Sequence, residues 1–225
     1  MLLKNRKLIV TGGPTREWLD PVRFISNPST GKMGAALAEA GAKRCAETVF
    51  IHGAIDARLY KDKPFRELAV DTTQEMLSAV ASELVPYSLL IMAAAPADYA
   101  PVSVSPVKIK KEEGEIQLLL KKTPDILKNI AEGIKNGKFN NVFTVGFAVE
   151  TNNVEEYALN KLKDKNLDMI CLNDVSQEGA GFSVDTNIVV IYAKEGYKLQ
   201  LPLLSKQNVA EKILDSIEEQ MKKLP

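Results

Sequence analysis

Arginine, asparagine and aspartate side chains stand beside small residues in this sequence, and that combination can bind anions. Arg23 and Asn27 precede a glycine- and alanine-rich stretch that starts near Lys32, and Asp98 follows an alanine-rich run. A guanidinium, an amide and the free N–H groups of a helix N-terminus can together hold a phosphate or a carboxylate. The pattern therefore predicts a site for an anionic ligand. In the alternative interpretation, Arg23 and Asn27 only order a long loop, and Asp98 only closes a turn.

Two groups of lysines could serve the same ligand. Lys161 and Lys165 stand one turn apart on a predicted helix, where like charges cost about 0.2–0.5 kcal/mol unless an anion offsets them. A polyanion would explain the pair, although a solvated helix face would also accommodate it. The lysine-rich residues 108–111 resemble, by themselves, the solvated edge of a hairpin, where lysines prevent pairing with other strands.

The glycine motifs exclude two common nucleotide sites. Gly12 and Gly13 follow a strand and could let the backbone approach a phosphate, or could simply form a tight turn. They do not fit the dinucleotide fingerprint, and residues 52–54 offer no acid for a ribose hydroxyl, so an NAD(P)-binding oxidoreductase is disfavoured. Residues 29–34 are not a P-loop, because Ser26 stands where a glycine is needed and Met33 replaces the magnesium-binding hydroxyl.

The amino-acid composition disfavours several classes of binding partner. Lysine plus arginine and aspartate plus glutamate each number 29, which argues against sequence-independent binding of nucleic acid. Cys45, Cys171 and the single histidine, His52, form no metal-binding pattern, so no metal site in the protein itself is predicted. The N-terminus does not resemble a signal peptide, and no run approaches the roughly 18 apolar residues of a membrane helix. These features predict a cytoplasmic protein that has no membrane contact.

The anion-binding candidates follow short apolar runs that alternate with helical patterns. With 225 residues, 45% of them hydrophobic, the sequence predicts one domain over residues 1–225. The alternation predicts a Rossmann-like α/β fold, with a mainly parallel sheet and helices on both faces. Ligands bind at the carboxyl ends of the strands in such sheets. The predicted strands are 8–10, 48–51, 89–92, 142–147 and 169–172, and the predicted helices are 33–43, 126–134, 154–165 and one that starts after Thr72.

Four further expectations concern the remaining segments. Residues 15–30 are expected to form a long loop, and the apolar run 118–120 is expected to lie in the core. Residues 188–192 and 197–201 predict a C-terminal β-hairpin, followed by a closing helix that carries one apolar stripe. His52 is expected to be an ordinary structural or surface residue.

Seven short segments occur in a fixed order between about Leu8 and Leu203. They are Gly13-Pro14-Thr15-Arg16-Glu17, Asp20-Pro21-Val22-Arg23-Phe24-Ile25-Ser26-Asn27, Gly31-Lys32-Met33-Gly34, Ala97-Asp98, Lys108-Ile109-Lys110-Lys111, Gly146-Phe147-Ala148-Val149-Glu150-Thr151 and Asn173-Asp174-Val175. Together they resemble the phosphopantothenate cysteine ligases, or phosphopantothenoylcysteine synthetases, of coenzyme A biosynthesis. The sequence departs from that pattern at His52-Gly53-Ala54, where a Ser-Gly-Pro-like turn is expected, and at Pro96.

The resemblance implies a reaction in two halves. The carboxylate of 4′-phosphopantothenate attacks the α-phosphate of a nucleoside triphosphate, pyrophosphate leaves, and the amine of cysteine then displaces the nucleoside monophosphate. The sequence of residues 14–17 resembles that of bacterial members and favours CTP as the co-substrate, together with Mg²⁺. ATP remains the alternative. A catalytically silent nucleotide-binding regulator would keep the same scaffold without the reaction.

The resemblance also implies roles for individual residues. Asn27 would hold the pantothenate chain and the acyl carbonyl, with Ala94 and Ala95 beside the substrate, and Arg23 would bind the substrate phosphate. Lys108 would start a mobile flap that delivers an ammonium group to the reacting phosphate, which makes Asn27 and Lys108 the expected catalytic residues. The expected nucleotide-binding residues are Gly13, Ala97, Asp98, Lys108, Lys122, Thr123, Pro124, Asp125, Phe147, Lys161 and Lys165.

Assembly is the last implication of the resemblance. The C-terminal hairpin, together with residues 179–182, is expected to form a homodimer interface. Each active site would then be shared, with Arg23 reaching substrate bound mainly by the other subunit. Bacterial members are often fused behind a flavin-dependent decarboxylase, and this sequence shows no such segment. The expectation is therefore a stand-alone ligase, with a separate decarboxylase as a candidate partner.

Overall fold

A computed structural model describes residues 2–111, 115–150, 154–174 and 184–223. Thr151 and Val175 of the segments quoted above, and the predicted interface residues 179–182, lie outside this part of the chain. Among the described residues, none of the helices combines the length and the hydrophobicity that crossing a bilayer requires.

Strands and helices alternate through most of the described chain. The strands are β1 (Lys7–Gly12), β2 (Arg16–Trp18), β3 (Phe24–Ser26), β4 (Glu47–His52), β5 (Arg66–Ala69), β6 (Leu89–Met92), β7 (Tyr99–Pro101), β8 (Leu120–Lys122), β9 (Phe143–Glu150), β10 (Met169–Asp174), β11 (Thr186–Asn187), β12 (Val189–Ala193), β13 (Lys198–Gln200) and β14 (Leu204–Ser205). The α-helices are α1 (Lys32–Ala42), α2 (Thr73–Glu83), α3 (Ile126–Lys135), α4 (Val154–Asp164) and α5 (Lys206–Met221).

The main sheet has eight strands in the order β13-β12-β10-β9-β6-β1-β4-β5. The six strands from β5 to β10 in this order are parallel, and β12 and β13 add an antiparallel hairpin at the other edge. Numbered by chain order, the parallel strands run 3-2-1-4-5-6, which is the Rossmann arrangement. The predicted fold class is therefore confirmed. The chain reverses its direction across the sheet between β1 and β6, where such folds bind their ligands.

Alternate residues of each strand supply two cores, one on each face of the sheet. Leu8 and Val10 of β1 pack with α1 and α5, whereas Ile9 between them packs with α2, α3 and α4. Because successive side chains of a strand point to opposite faces, the apolar run 8–10 of β1 must be covered on both faces of the sheet. The apolar stripe of α5 and the capping box of α2, in which Thr72 accepts from the Glu75 amide at 3.1 Å, form as predicted.

Helix α1 lies unusually close to the end of β1. A Cβ atom on Gly34 would lie 2.8 Å from the Cα of Gly12 and 2.8 Å from the carbonyl oxygen of Thr11. A Cβ atom on Gly12 would in turn meet the ring of Phe50 at 2.6 Å. The helix can therefore rest on the strand only because both positions lack a side chain.

Two expectations about irregular segments are wrong. Residues 15–30 are not one long loop, because β2 and β3 pair antiparallel within them and the rings of Trp18 and Phe24 pack edge to face with centroids 5.1 Å apart. The run 118–120 does not lie in the core, since Leu118, Leu119 and Leu120 are 48%, 76% and 39% exposed. Leu120 belongs to β8, which pairs with β7 in a separate ribbon outside the main sheet.

Residues 108–111 and His52 differ in their exposure to solvent. Residues 108–111 form no strand, and their lysines are exposed. His52 is buried and structural, since its ring stacks on Tyr60 with centroids 4.3 Å apart and its Nε2 lies 3.0 Å from Glu67 Oε2.

We predict that Gly34→Ala lowers the free energy of unfolding by about 1–3 kcal/mol, because the added methyl group meets backbone atoms that cannot rotate away. Helix propensity alone would favour alanine by about 1 kcal/mol, so the sign of the change is informative. Urea unfolding followed by circular dichroism measures it. Gly133→Ala in α3 is the matched control, because its added methyl group meets only the side chain of Phe139 and should cost less. A Gly34→Ala protein as stable as the wild type would show that the contact is not needed.

Candidate active site

A cavity of about 850 Å³ opens at the carboxyl ends of β1 and β6. Its walls come from the loop that precedes α1, the loop after β6, the turn before α3, and residues of α4, β10, β11 and α5. The position agrees with the expectation for a parallel sheet, because loops and helix N-termini converge there.

Backbone hydrogen bonds fix the alanine-rich loop after β6 against the end of β1. The amide of Ala94 donates to Thr11 Oγ1 at 3.1 Å, that of Ala95 to the Gly13 carbonyl at 2.9 Å, and that of Ala97 to Thr15 Oγ1 at 2.9 Å. The small side chains of this loop leave its backbone open to the cavity. Gly13 thus lies behind the wall and supports it, whereas the cavity lining includes Ala94, Ala95 and Ala97.

Asn27 directly follows β3 and contacts the alanine-rich loop from the side of the β2–β3 hairpin. Its Nδ2 donates to the carbonyl oxygens of Ala95 at 3.3 Å and Pro96 at 3.0 Å. The side chain therefore joins the β2–β3 hairpin to the cavity wall. In this arrangement its N–H groups already have acceptors, so donation to a substrate carbonyl requires the amide to exchange one of these bonds.

The turn before α3 is docked on the same loop. Thr123 donates from its amide to the Asp98 carbonyl at 3.0 Å and from its hydroxyl to the Ala97 carbonyl at 2.7 Å. Asp125 caps α3 by accepting from the Lys128 amide at 3.1 Å. The predicted nucleotide-binding residues 122–125 are thus held beside Asp98, whose exposed side chain lies on the cavity rim.

The lysines of the α4 region point into this part of the cavity. Lys161 Nζ donates to the Phe147 carbonyl at 2.8 Å, and Lys165 Nζ lies 3.0 Å from Asp125 Oδ2. Burial would raise the pKa of Asp125, but hydrogen bonds from the Lys128 amide and the Lys165 ammonium, with the charge of Lys161, outweigh it and lower that pKa. The two lysines are therefore held in place, and the cation pair predicted from the sequence lines the cavity.

A second cationic region comes from α1 and α5 on the other face of the sheet. Lys32 Nζ lies 2.6 Å from Asp185 Oδ1, and the largely buried Lys206 donates to the Val184 carbonyl. Burial and the charge of Lys32 both lower the pKa of Lys206. Helix α1 begins here without a side-chain cap, after Gly31 in the left-handed conformation. Ammonium groups and a helix N-terminus thus meet at one end of the cavity, a combination that suits an anion.

Asn173 contributes an acceptor to the same wall. The residue is the next to last of β10 and is 6% exposed, and its Oδ1 atom has no hydrogen-bond partner among the residues that the structure describes. A buried amide oxygen without a partner is costly, which favours a ligand that carries a hydroxyl or N–H group at this position.

Like Gly13, the predicted site residues Arg23 and Lys108 lie outside the cavity lining. Arg23 is about half exposed, and its guanidinium contacts Asp20 and the carbonyl of Ile109 in its own chain. Lys108 is exposed and stands next to Ile109. The two predicted residues are therefore close to each other, although 85 positions separate them in the sequence.

The cavity lining is strongly cationic. Its lysines outnumber its acids in the described chain, which suits one or more polyanionic ligands. The lysines are Lys32, Lys122, Lys161, Lys165 and Lys206, and the acids are Asp98 and Asp125.

Sequence reasoning missed the part of the lining that comes from the C-terminal third. Asn187 and Lys206 line the cavity, yet neither stands in a glycine-rich or otherwise distinctive motif. The one available signal for Lys206 is its position directly after Ser205, which caps α5 by accepting from the Asn208 amide at 3.2 Å. Such a position puts a lysine at a helix N-terminus, where it is electrostatically unfavourable unless it serves another purpose.

The fold and the cavity together define a Rossmann-type α/β protein with a cationic ligand site at its topological switch point. The chain belongs to the DNA/pantothenate metabolism flavoprotein C-terminal domain family, whose model matches residues 3–221. The family resemblance inferred from the sequence is thereby confirmed.

Individual relatives agree with this assignment. The coenzyme A biosynthesis bifunctional protein CoaBC of Bacillus subtilis is 44% identical over 216 residues, which cover 96% of this chain and 52% of the relative. The chain thus spans about half the length of the curated relatives it matches. A crystal structure of the C-terminal domain of CoaBC is similar with a TM-score of 0.79 and 36% identity, covering 99% of both chains. The structure of a Cab2 mutant in complex with phosphopantothenate-cysteine shares the fold, with a TM-score of 0.75 and 18% identity, covering 98% of this chain and 89% of that one.

We predict that Lys165→Ala weakens the binding of inorganic triphosphate, a simple polyanion, about 3- to 10-fold. A hydrogen bond to a charged group contributes about 1.5–3 kcal/mol, and the existing pairing with Asp125 offsets part of it. Isothermal titration calorimetry measures the change. Lys163→Ala is the matched control, because Lys163 is an exposed lysine of the same helix outside the cavity lining. Equal weakening by both variants would show that general charge, and not this site, attracts the anion.

Proposed function

We propose that this chain is a nucleoside triphosphate-dependent ligase that joins 4′-phosphopantothenate to cysteine. The observation that carries the proposal is the convergence, in one cavity, of Asn27, the alanine-rich loop and the lysines of α4, which the resemblance assigns to the two ligands of that reaction. The membership in a pantothenate-metabolism family and the names of its relatives support it. The product-like ligand in the Cab2 structure fits the same proposal.

The distribution of charge suits two ligands that each carry phosphate. Lys161 and Lys165 belong to the face of the sheet covered by α3 and α4, whereas Lys32 and Lys206 belong to the face covered by α1 and α5. The nucleotide would bind at the first pair, beside residues 122–125, and the phosphopantothenate phosphate at the second. The substrate carboxylate and the α-phosphate would then meet near the alanine-rich loop between them.

The proposed chemistry uses groups of the ligands as nucleophiles. A carboxylate oxygen of phosphopantothenate forms a bond to the α-phosphorus while the bond to pyrophosphate breaks, and the cysteine amine then forms the amide as the nucleoside monophosphate leaves. Both steps develop negative charge on oxygen, which ammonium and N–H groups held in advance can stabilise. Lys108 would supply one ammonium, and Asn27 would orient the acyl group.

CTP is the proposed co-substrate, with ATP as the alternative, and Mg²⁺ is expected to accompany it. The described residues contain no cluster of three or more histidine, cysteine or acidic side chains that could hold a metal. This donor set fits a magnesium ion that enters on the triphosphate, since Mg²⁺ usually binds through phosphates and few protein carboxylates. Asp98 on the rim is the residue best placed to contact such an ion, whose charge would reduce repulsion between the reacting oxygens.

Release of pyrophosphate tests the proposed function directly. We predict that CTP with phosphopantothenate gives pyrophosphate without cysteine, and that the amide product appears only when cysteine is added. The same assay with ATP decides the choice of nucleotide. Absence of pyrophosphate with both nucleotides would refute the ligase proposal, and tight binding of NADPH without CTP binding would favour an oxidoreductase.

We predict that Lys108→Ala lowers kcat at least about 100-fold without changing the fold, because loss of one donor to developing charge costs roughly 2.7–4 kcal/mol in comparable sites. The pyrophosphate assay measures kcat, and circular dichroism checks the fold. Lys121→Ala is the matched control, since Lys121 is an exposed lysine of β8 that does not line the cavity. Near-normal turnover of Lys108→Ala would remove Lys108 from the proposed catalytic residues.

A homodimer with shared active sites is part of the proposal. β13 is an edge strand of the main sheet, and large apolar side chains are exposed on and beside the β7–β8 ribbon, including Val102, Val107 and Leu119. Exposed apolar groups in this number favour a covering partner. Arg23 lies outside the cavity of its own chain and is about half exposed, which suits a contact with substrate in the other subunit.

Mixing variants tests the shared sites. Arg23→Ala and Lys108→Ala subunits should each be nearly inactive, and their heterodimers should regain up to about half of the native activity, because two-fold symmetry leaves one site with both intact residues. Light scattering establishes the mass, and tagged subunits establish that heterodimers have formed. A monomeric mass would refute the shared-site proposal. Verified heterodimers without recovery would also refute it, provided that trypsin cleaves the Lys108–Ile109 bond of Arg23→Ala at the wild-type rate, because Arg23 also contacts the Ile109 carbonyl of its own chain.

Cooperation with a flavin-dependent decarboxylase is proposed as well. The family name refers to a flavoprotein. The CoaBC relatives, about half of whose length this chain covers, are called bifunctional. A decarboxylase that takes the product of this ligase is the activity expected beside it.

A further inference from the structure

Asp20 is a buried carboxylate that connects two segments far apart in the sequence. Its side chain is fully buried in the turn between β2 and β3. Oδ1 accepts from the amides of Val22 and Arg23, both at 2.8 Å. Oδ2 accepts from Arg23 Nε at 3.1 Å and from the amide of Ile109 at 3.0 Å. The last bond leaves the turn and reaches the residue next to Lys108.

Both backbone polar groups of Ile109 form hydrogen bonds to the β2–β3 turn. Its N–H donates to Asp20, and its carbonyl accepts from the guanidinium of Arg23, which is itself paired with Asp20 at 2.8 Å. A second tether joins the same segments, since the Ser105 amide donates to the Leu19 carbonyl at 2.9 Å. The backbone at Ile109 is therefore fixed to the hairpin whose second strand leads to Asn27.

The carboxylate charge is important for this arrangement. Burial alone would raise the pKa of Asp20, but the hydrogen bonds from Val22, Ile109 and Arg23 outweigh it and lower that pKa to about 2. Asp20 is thus ionised at neutral pH and accepts from four donor groups at once. An asparagine would offer only one acceptor oxygen, and its NH₂ group would face donors.

We propose that Asp20 is a positioning residue for the ligase reaction, which fixes Lys108 relative to Asn27 by holding the backbone of Ile109. The proposal rests on the proposed function. Asp20 itself does not line the cavity, so its effect on catalysis would pass through the position of the Lys108 backbone. A small displacement of a group that acts on the transition state is enough to reduce the rate strongly.

Asp20→Asn is the main test, and it has a readout that does not depend on activity. The variant should cut kcat about 10- to 100-fold while the dissociation constant for CTP changes less than about twofold. Trypsin should also cleave the Lys108–Ile109 bond faster in the variant than in the wild type, because the Ile109 backbone is released. Mass spectrometry of the first products identifies the bond.

Asp56→Asn is the matched control. Asp56 also accepts from the backbone and side chain of a nearby arginine, Arg58, and its pKa is also lowered to about 2 by those bonds. Its hydrogen bonds go to Arg58 and not to residues 108–111, so its substitution should leave kcat and the cleavage of the Lys108–Ile109 bond unchanged.

A second variant acts on the other partner of the bond. Ile109→Pro removes the N–H group that Asp20 accepts, in a segment outside the core, so it tests the bond even where Asp20→Asn fails to fold. If both variants act through the same bond, their effects on kcat should be strongly non-additive in the double variant. Additive effects would contradict the proposal.

The remaining outcomes are also decisive. An unchanged rate of cleavage at Lys108–Ile109 in folded Asp20→Asn would overturn the proposal, whatever the activity. A lower Tm with normal kcat below that temperature would also overturn it, because Asp20 would then serve stability alone. If the wild-type protein shows no ligase activity, the proposed function fails, and the cleavage experiment still decides whether Asp20 holds the Lys108 segment.

Discussion

The contact between Gly34 and Gly12 is the constraint on which the site depends. Because neither residue has a side chain, the first turn of α1 rests directly on the end of β1. Any larger residue would move the helix away from the sheet and tilt its N-terminus out of the cavity. The position of Lys32, the opening of the helix N-terminus and the course of the loop that carries Asn27 all follow from this one approach of backbone to backbone.

A second level of organisation is electrostatic. The alanine-rich loop after β6 supplies almost no charge, and the lysines reach it from helices on opposite faces of the sheet. Lys32 pairs with Asp185 and Lys165 pairs with Asp125, which reduces the repulsion among cations before a ligand binds. Ligand phosphates would compete with these carboxylates, so affinity reflects an exchange of partners more than a gain of new ones.

The sequence predicted the parallel core well because its signals are local. Runs of three to six mainly apolar residues, the Thr72 capping box and the stripe of α5 each specify their element from neighbouring residues, and the observed bounds differ by a few positions. The β2–β3 hairpin was missed, because its strands have three residues each and their stability comes from the contact between Trp18 and Phe24. The run 118–120 was misplaced since apolarity alone does not distinguish a core strand from a ribbon that projects from it.

The site was predictable in part, for a related reason. The resemblance indicated Asn27, the loop up to Asp98 and the lysines of α4, and the structure brings these together. Neither residue types nor spacing indicated Lys206, Asn187 or the role of Asp20. Asp20 acts through Ile109, 89 positions away, and Lys206 and Asn187 line a cavity whose other walls come from distant parts of the sequence.

The same long-range arrangement affects how the site arises during synthesis. Helix α5 packs on α1 through the apolar stripe that includes Ile213 and Leu214, and Arg44 after α1 binds Asp215 and Glu218 of α5 at 2.9 and 3.0 Å. The cavity therefore lacks one wall until α5 has left the ribosome and docked. Nascent chains that end before this helix would expose the apolar face of α1, a surface that chaperones recognise. Ligand binding is thus coupled to completion of the fold, and incomplete chains would not sequester nucleotide or substrate.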